Sequence, residues 1–313
     1  MKNFLKVIFA LIFFVAVFEL FMMNQEKSAQ STKHRVITST FALYDITKNI
    51  VGDTFEVIHI LPFGVSAHSF EPTPKLMAAI ERSDLVIYSG AGLEPWTDGF
   101  AFNTKVINMS EHVHLKEMLS KKGHEEERDE HKEHHHHERY DPHYWLDVEN
   151  MILATKRVAK ELIELSPKNS ALYTANMNSY ISRLQALDNE YKSALSSCKK
   201  DMLITNHRAF GYLTTKYGLH TESLSGMSPE TEPSAKSIKR IMRLTQEHNI
   251  STIFFENFVS DRTIKSIARD TGIQADVLQP LGNITADEAK AKLSYEDIMR
   301  KNLYKITKAL ECR

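Results

Sequence analysis

Cysteine is nearly missing from this chain: there are two in 313 residues, Cys198 and Cys312, both in the last third. Paired CxxC metal motifs are therefore excluded, and no HExxH helix motif is present either. No cysteine lies near the N-terminus, so lipid attachment there is not expected. An excess of charge of one sign is also lacking: 39 Lys and Arg face 40 Asp and Glu, for a formal net charge of −1. With no basic stripe and no interleaved aromatics, nucleic acid and an anionic membrane surface are excluded as main partners. Long apolar runs are absent except at the start of the chain. The chemistry must come from local sites.

That one apolar run, Val7 to Phe18, follows Lys2 and Lys6 and is twelve residues long. Twelve is short for a membrane span and fits the core of an export signal. Residues 1–30 are read as a signal peptide with no clean small-x-small cleavage site, an uncleaved anchor being the alternative. The rest of the chain is expected to be exported, in the periplasm. In an oxidising compartment Cys198 and Cys312 are a candidate disulfide, two separate buried thiols being the other reading.

What the chain has in abundance is histidine, and nine of its fifteen lie between His112 and His143. Within residues 112–140, the stretch Lys121 to Arg139 has no apolar residue and reads as a solvated loop. It carries His124, His131 and the run His134, His135, His136 and His137. Imidazoles in such density make an auxiliary surface of weak metal sites, beside the simpler reading of a solvated charge run. The next residues, Asp141-Pro142-His143-Tyr144-Trp145-Leu146-Asp147, are turn-forming and aromatic, the composition of an ordered site.

Around this loop the pattern is α/β. Short β-branched runs at 36–41, 55–60, 85–90 and 106–109 alternate with helical spacing, which predicts a parallel sheet with crossover helices. The same rhythm returns at 202–205, 250–255 and 275–278. Between the halves, Tyr173, Met177, Tyr180, Ile181, Leu184, Leu187, Tyr191 and Leu195 form one apolar stripe. With Ser166-Pro167 as cap and first turn, it predicts a rod of about thirty residues, roughly 45 Å at 1.5 Å per residue. The expected organisation is an N-terminal lobe at 34–165, a long linker helix at 166–198 and a C-terminal lobe at 199–313. Three single histidines stand out. His68 follows the second strand, His143 ends the loop, and His207 ends a strand of the second half, where open α/β sheets bind ligands. Each is also compatible with a turn-capping role.

Several stretches carry a resemblance: PFGVSAHSFEPTP at 62–74, SGAGLEPW at 89–96, DPHYWLD at 141–147, NHRAFGYLTTKYGL at 206–219, SPETEPSAKSIKRI at 228–241 and FFENFVS at 254–260. In this order they resemble the metal-binding subunits of ABC importers for zinc and manganese, of the periplasmic zinc-uptake type. The resemblance covers nearly the whole mature chain. It implies two α/β lobes bridged by a long rigid helix, with the metal in the cleft between them, and a membrane ABC permease as partner to a monomeric protein. It carries three metal ligands onto His68, His143 and His207, a nitrogen-rich set that favours Zn2+ over manganese. At the fourth position the family's aspartate is replaced by Gln279 in Gln279-Pro280-Leu281-Gly282. The fourth ligand is thus open between water, Gln279 and a nearby carboxylate. Glu71 and Glu256 are read as orienting or structural groups.

The function expected is capture of Zn2+ for high-affinity uptake, with no enzymatic activity. A manganese-binding homologue and a metal buffer or surface adhesin are the alternatives within binding proteins. Three histidines and an open position also describe a zinc hydrolase, but no general-base motif accompanies them.

Overall fold

The computed structural model describes residues 33–118, 139–257 and 262–313. Contacts divide the chain into Met1–His34 and Arg35–Arg313, and the fold below is that of the second unit. The export signal expected at 1–30 lies outside the described residues, as do the loop histidines His124, His131 and His134 to His137.

The first half runs β1 (Arg35–Thr38), α1 (Phe41–Val51), β2 (Glu56–His59), α2 (Pro74–Ile80), β3 (Leu85–Tyr88) and β4 (Val106–Asn108). Its four strands form a parallel sheet in the order β2-β1-β3-β4. Each strand is short and rich in Val, Ile or Leu, as expected where helices cover the faces of a parallel sheet. Thr73 opens α2: its hydroxyl accepts from the Leu76 N–H, and Pro74 takes the first helical position.

Two helices then lead to the second half. α3 (Val148–Leu165) starts at Asp147, whose carboxylate accepts from the Glu149 N–H. α4 (Ser170–Leu195) is the expected rod, shorter than the reading from sequence. Pro167–Asn169 forms a 3-10 turn, and Ser166 does not cap a backbone N–H but accepts from the Asn169 side-chain amide instead. The helix proper has 26 residues, about 39 Å at 1.5 Å per residue. Tyr173, Tyr180, Leu184, Leu187 and Tyr191 on its buried stripe are fully covered. Its tyrosines reach both ways. Tyr180 Oη donates to Asp45 of α1, while Tyr191 Oη donates to the carbonyl of Met299 in the closing helix.

The second half runs β5 (Met202–Thr205), α5 (Gly211–Lys216), β6 (His220–Ser223), α6 (Ala235–Glu247), β7 (Thr252–Phe255), α7 (Arg262–Thr271), β8 (Gln274–Val277), α8 (Ala286–Lys290) and α9 (Tyr295–Leu310). Its sheet repeats the first, parallel throughout in the order β6-β5-β7-β8. The edge strand β6 and the single-turn α8 have no apolar periodicity and were not expected from the pattern. Cys198 and Cys312 form a disulfide.

Apolar burial does not divide at the linker. One large core takes in the first half, α4, Phe210 to Leu213, Leu278, Leu281 and α9. A separate small one gathers Ile204, Leu224, Ile241, Ile250, Ile253, Ile264 and Ile267. The outer part of the second half thus packs on itself.

Candidate metal centre

In both sheets the strand order reverses between the first and third strands of the half, and the crevice beyond those carboxyl ends is the place for a ligand. In the first sheet that crevice is filled. Glu94 turns its buried carboxylate back to accept from the Ser89 N–H, the Gly90 N–H and the Ser39 hydroxyl. Burial dominates there and raises its pKa. In the second sheet the crevice holds His207, two residues past β5, and Glu256, one residue past β7. β5 and β7 are neighbours, with Thr205 paired to Phe254, so the topology itself sets the two side chains together. His207 Nδ1 and Glu256 Oε1 form a buried pair.

His143 is held in a similar way by its own chain. Asp141 is buried, and one oxygen, Oδ1, accepts from the His143 N–H at 3.0 Å and from its ring Nδ1 at 2.9 Å. Tyr212 Oη donates to the Asp141 carbonyl and accepts from the Lys116 N–H, fixing that turn against α5. Trp145 lies edge-on to the His143 ring, and its indole N–H donates to the Pro280 carbonyl. Tyr144 in turn packs edge-on against Trp145. His68 comes from the long loop between β2 and α2.

The three rings converge. His68 Nε2 lies 3.2 Å from His143 Nε2, and His207 Nε2 lies 3.4 Å from the same atom. The ligand atoms of all three fall within 4.8 Å of one another. Three nitrogens at 2.0–2.1 Å from a tetrahedral zinc ion sit about 3.3 Å apart. With Nδ1 of His143 turned to Asp141 and Nδ1 of His207 paired with Glu256, Nε2 of both rings is left to face the same space. Three ring nitrogens so close together are unfavourable until a cation lies among them. Burial, and then the neighbouring His143 and His207, push the His68 ring well below the usual histidine pKa.

The surrounding pocket is small and apolar, lined by Ala67, Leu93, Trp145 and Pro229 besides the histidines. It encloses about 30 Å³. That is room for an ion and a water, whereas sites for organic ligands enclose about 300–1,000 Å³.

Two of the candidate residues lie outside this pocket. Gln279 does not line this pocket. Its amide nitrogen donates to Glu288, and its backbone N–H and carbonyl are both bound to Asn302. A neutral amide finds a better partner in that carboxylate than in a cation shared with three imidazoles. Glu71 is exposed on the loop and lines no part of the pocket. Asp141 was given no role in the reading from sequence, although a carboxylate two residues before a histidine, across a proline, was a visible signal.

Two parallel α/β lobes on a helical spine, with three imidazoles meeting between them, define a two-lobe solute-binding protein with a site suited to a metal ion. The family model for the zinc-uptake complex component A, periplasmic, matches residues 36–309, and the chain belongs to that family. The high-affinity zinc uptake system protein ZnuA of Bacillus subtilis is 35% identical over 282 residues, covering 88% of this chain and 87% of that protein. The zinc-binding protein AdcA of Streptococcus pyogenes is 30% identical, and the match covers 95% of this chain but 60% of AdcA. Among solved structures, the Zn(II)-bound ZnuA-like domain of Streptococcus pneumoniae AdcA matches with a TM-score of 0.73 at 28% identity, covering 89% of this chain and 99% of that one. The laminin-binding protein Lmb of Streptococcus agalactiae, described as having adhesin and metal-transporting activity, matches with a TM-score of 0.78 at 30% identity, covering 88% and 99%.

Proposed function

We propose that this protein captures Zn2+ outside the cytoplasm and delivers it to a membrane ABC permease for high-affinity uptake. The observation that carries the reading is the spacing of His68, His143 and His207: their Nε2 atoms stand 3.2 and 3.4 Å apart, the separation of ligands around one tetrahedral zinc. Zinc is the cargo here, and the three rings are its ligands. Asp141 and Glu256 hold two of the rings with the lone pair facing the ion. Water completes the fourth position. In this reading 34–165 and 199–313 are the two metal-binding lobes and 166–198 is the linker between them.

Manganese is disfavoured because its usual donors are carboxylate, carbonyl and water, not three imidazoles. A hydrolase is disfavoured because a pocket of about 30 Å³ has no place for an organic substrate beside the metal. The loop histidines act as a weaker, outlying set of metal sites. A titration of the purified protein with zinc and manganese in competition tests the reading. The expected result is one tight zinc equivalent that excess manganese does not displace. Preferential retention of manganese would overturn it.

A further inference from the structure

The cleft is closed differently on its two sides. On one side the irregular segment after β8 is bound to the first half. Phe41 N–H donates to the Gly282 carbonyl and Gly64 N–H to the Ile284 carbonyl. The Asn283 amide donates to the carbonyls of Pro62 and Val65, and its oxygen faces His59 Nε2. Leu278, Leu281 and Ile284 are buried in the large core, so this side is apolar as well as hydrogen-bonded.

On the other side, among the described residues, the carboxylate of Glu230 reaches across the cleft. Glu230 lies in the loop between β6 and α6 of the second half. Its Oε1 accepts from the Ser69 hydroxyl at 2.8 Å, across the cleft, and Ser66 also donates to this carboxylate. Its Oε2 accepts from Ser228 of its own loop at 2.6 Å. Ser66 and Ser69 flank His68, and the Ser66 hydroxyl also accepts from the His68 N–H. Pro229 and Ser66 line the metal pocket from opposite sides of this contact. Glu230 and the rest of its loop also border a cavity of about 460 Å³ that reaches Asn206, Leu224 and Arg262. The loop belongs to the part of the second half whose apolar residues pack in their own small core.

We propose that Glu230 is a positioning residue that latches the His68 loop across the cleft, and that breaking its bonds to Ser66 and Ser69 opens the path by which zinc leaves. The latch rests on the zinc-binding reading above. A carboxylate bonded to hydroxyls at the solvent edge suits this task. The bonds are charge-assisted and directional, yet water replaces them at small cost once the loop lifts. An apolar closure would have to expose its surface to open. Holding His68 in register with His143 and His207 lengthens the residence of the ion, so the effect falls on the rate of release more than on capture.

The test is stopped-flow release of zinc from the full chain to a chelator in excess, for the wild type, Glu230→Ala, Ser69→Ala and the double variant, with apo melting temperatures alongside. Release should be several-fold to about tenfold faster in Glu230→Ala. It should be less so in Ser69→Ala, and the double variant should be no faster than Glu230→Ala. Capture rates and apo melting should stay at wild-type values. Glu230→Gln keeps an acceptor without the charge and should fall between. Unchanged release in Glu230→Ala overturns the latch, and so do effects that multiply in the double variant, since the carboxylate would then act without Ser69. A wild type that retains no zinc would overturn the zinc reading itself.

Discussion

One oxygen of Asp141 holds His143 at both ends: it accepts from the backbone N–H at 3.0 Å and from ring Nδ1 at 2.9 Å. The ring cannot turn without losing a charge-assisted bond, and its Nε2 is left to face His68 and His207. Glu256 is paired with ring Nδ1 of His207 alone, across two neighbouring strands. The orientation of these two rings is thus fixed by carboxylates of the fold itself.

Both carboxylates are therefore expected to matter for affinity without touching the ion. Replacing Asp141 or Glu256 with alanine should weaken zinc binding by about 10- to 100-fold, whereas Asp141→Asn and Glu256→Gln, which keep an acceptor, should cost less. Chelator-competition titrations of the four variants measure this. Alanine variants with wild-type affinity would show that the rings are held by packing alone.

The histidine-rich segment closes at a neck that the structure does describe. Glu117 and Tyr140 face each other in an antiparallel bridge, and the Met118 N–H donates to the Arg139 carbonyl. Excising residues 121–137 and joining the ends with a short glycine-serine link should leave the tight site intact and remove the weaker zinc equivalents. Equilibrium dialysis of the two forms counts the ions bound. Loss of the tight equivalent would mean that the segment supplies a ligand.

A pH dependence arises away from the metal. Asp45 is buried between α1, α4 and α9, and its pKa is raised from 3.8 to about 7. Burial is the main cause, and nearby Glu296 adds to it, while Tyr180 and Arg183 oppose. The folded chain keeps a proton that the unfolded chain gives up near pH 4. The stability from this group is therefore fully present below about pH 4 and is lost as pH rises through 7. Three pKa units set a ceiling of about 4 kcal/mol. Asp45→Asn, which can still accept from Tyr180, should flatten the fall in apo melting temperature between pH 5 and 8. An unaltered slope would place the titration elsewhere.

The parallel sheets were legible because β1, β3, β5 and β7 are short β-branched runs between helical spacings. The rod was legible because its tyrosines and leucines repeat on one face. The three histidines were legible because each sits in an ordered motif, although spacing alone did not bring them together. β6, with the sequence His-Thr-Glu-Ser, was hidden because an edge strand needs backbone pairing more than apolar side chains. The displacement of Gln279 was hidden too. A glutamine in a ligand position looks like a weak ligand until Glu288, capping α8 nearby, is seen to take its amide. Asp141 was hard to read for a related reason: the meaning of a carboxylate here depends on which ring nitrogen it faces.

The most direct test of the account is zinc affinity, by competition with a chelator of known strength, for the wild type and for His68→Ala, His143→Ala and His207→Ala. With three ligands sharing one ion, each single loss should weaken binding by at least about 100-fold, and circular dichroism should show all three variants folded. A His207→Ala protein that binds zinc as tightly as the wild type would contradict the account, because the ion would then lie outside the meeting point of the three rings.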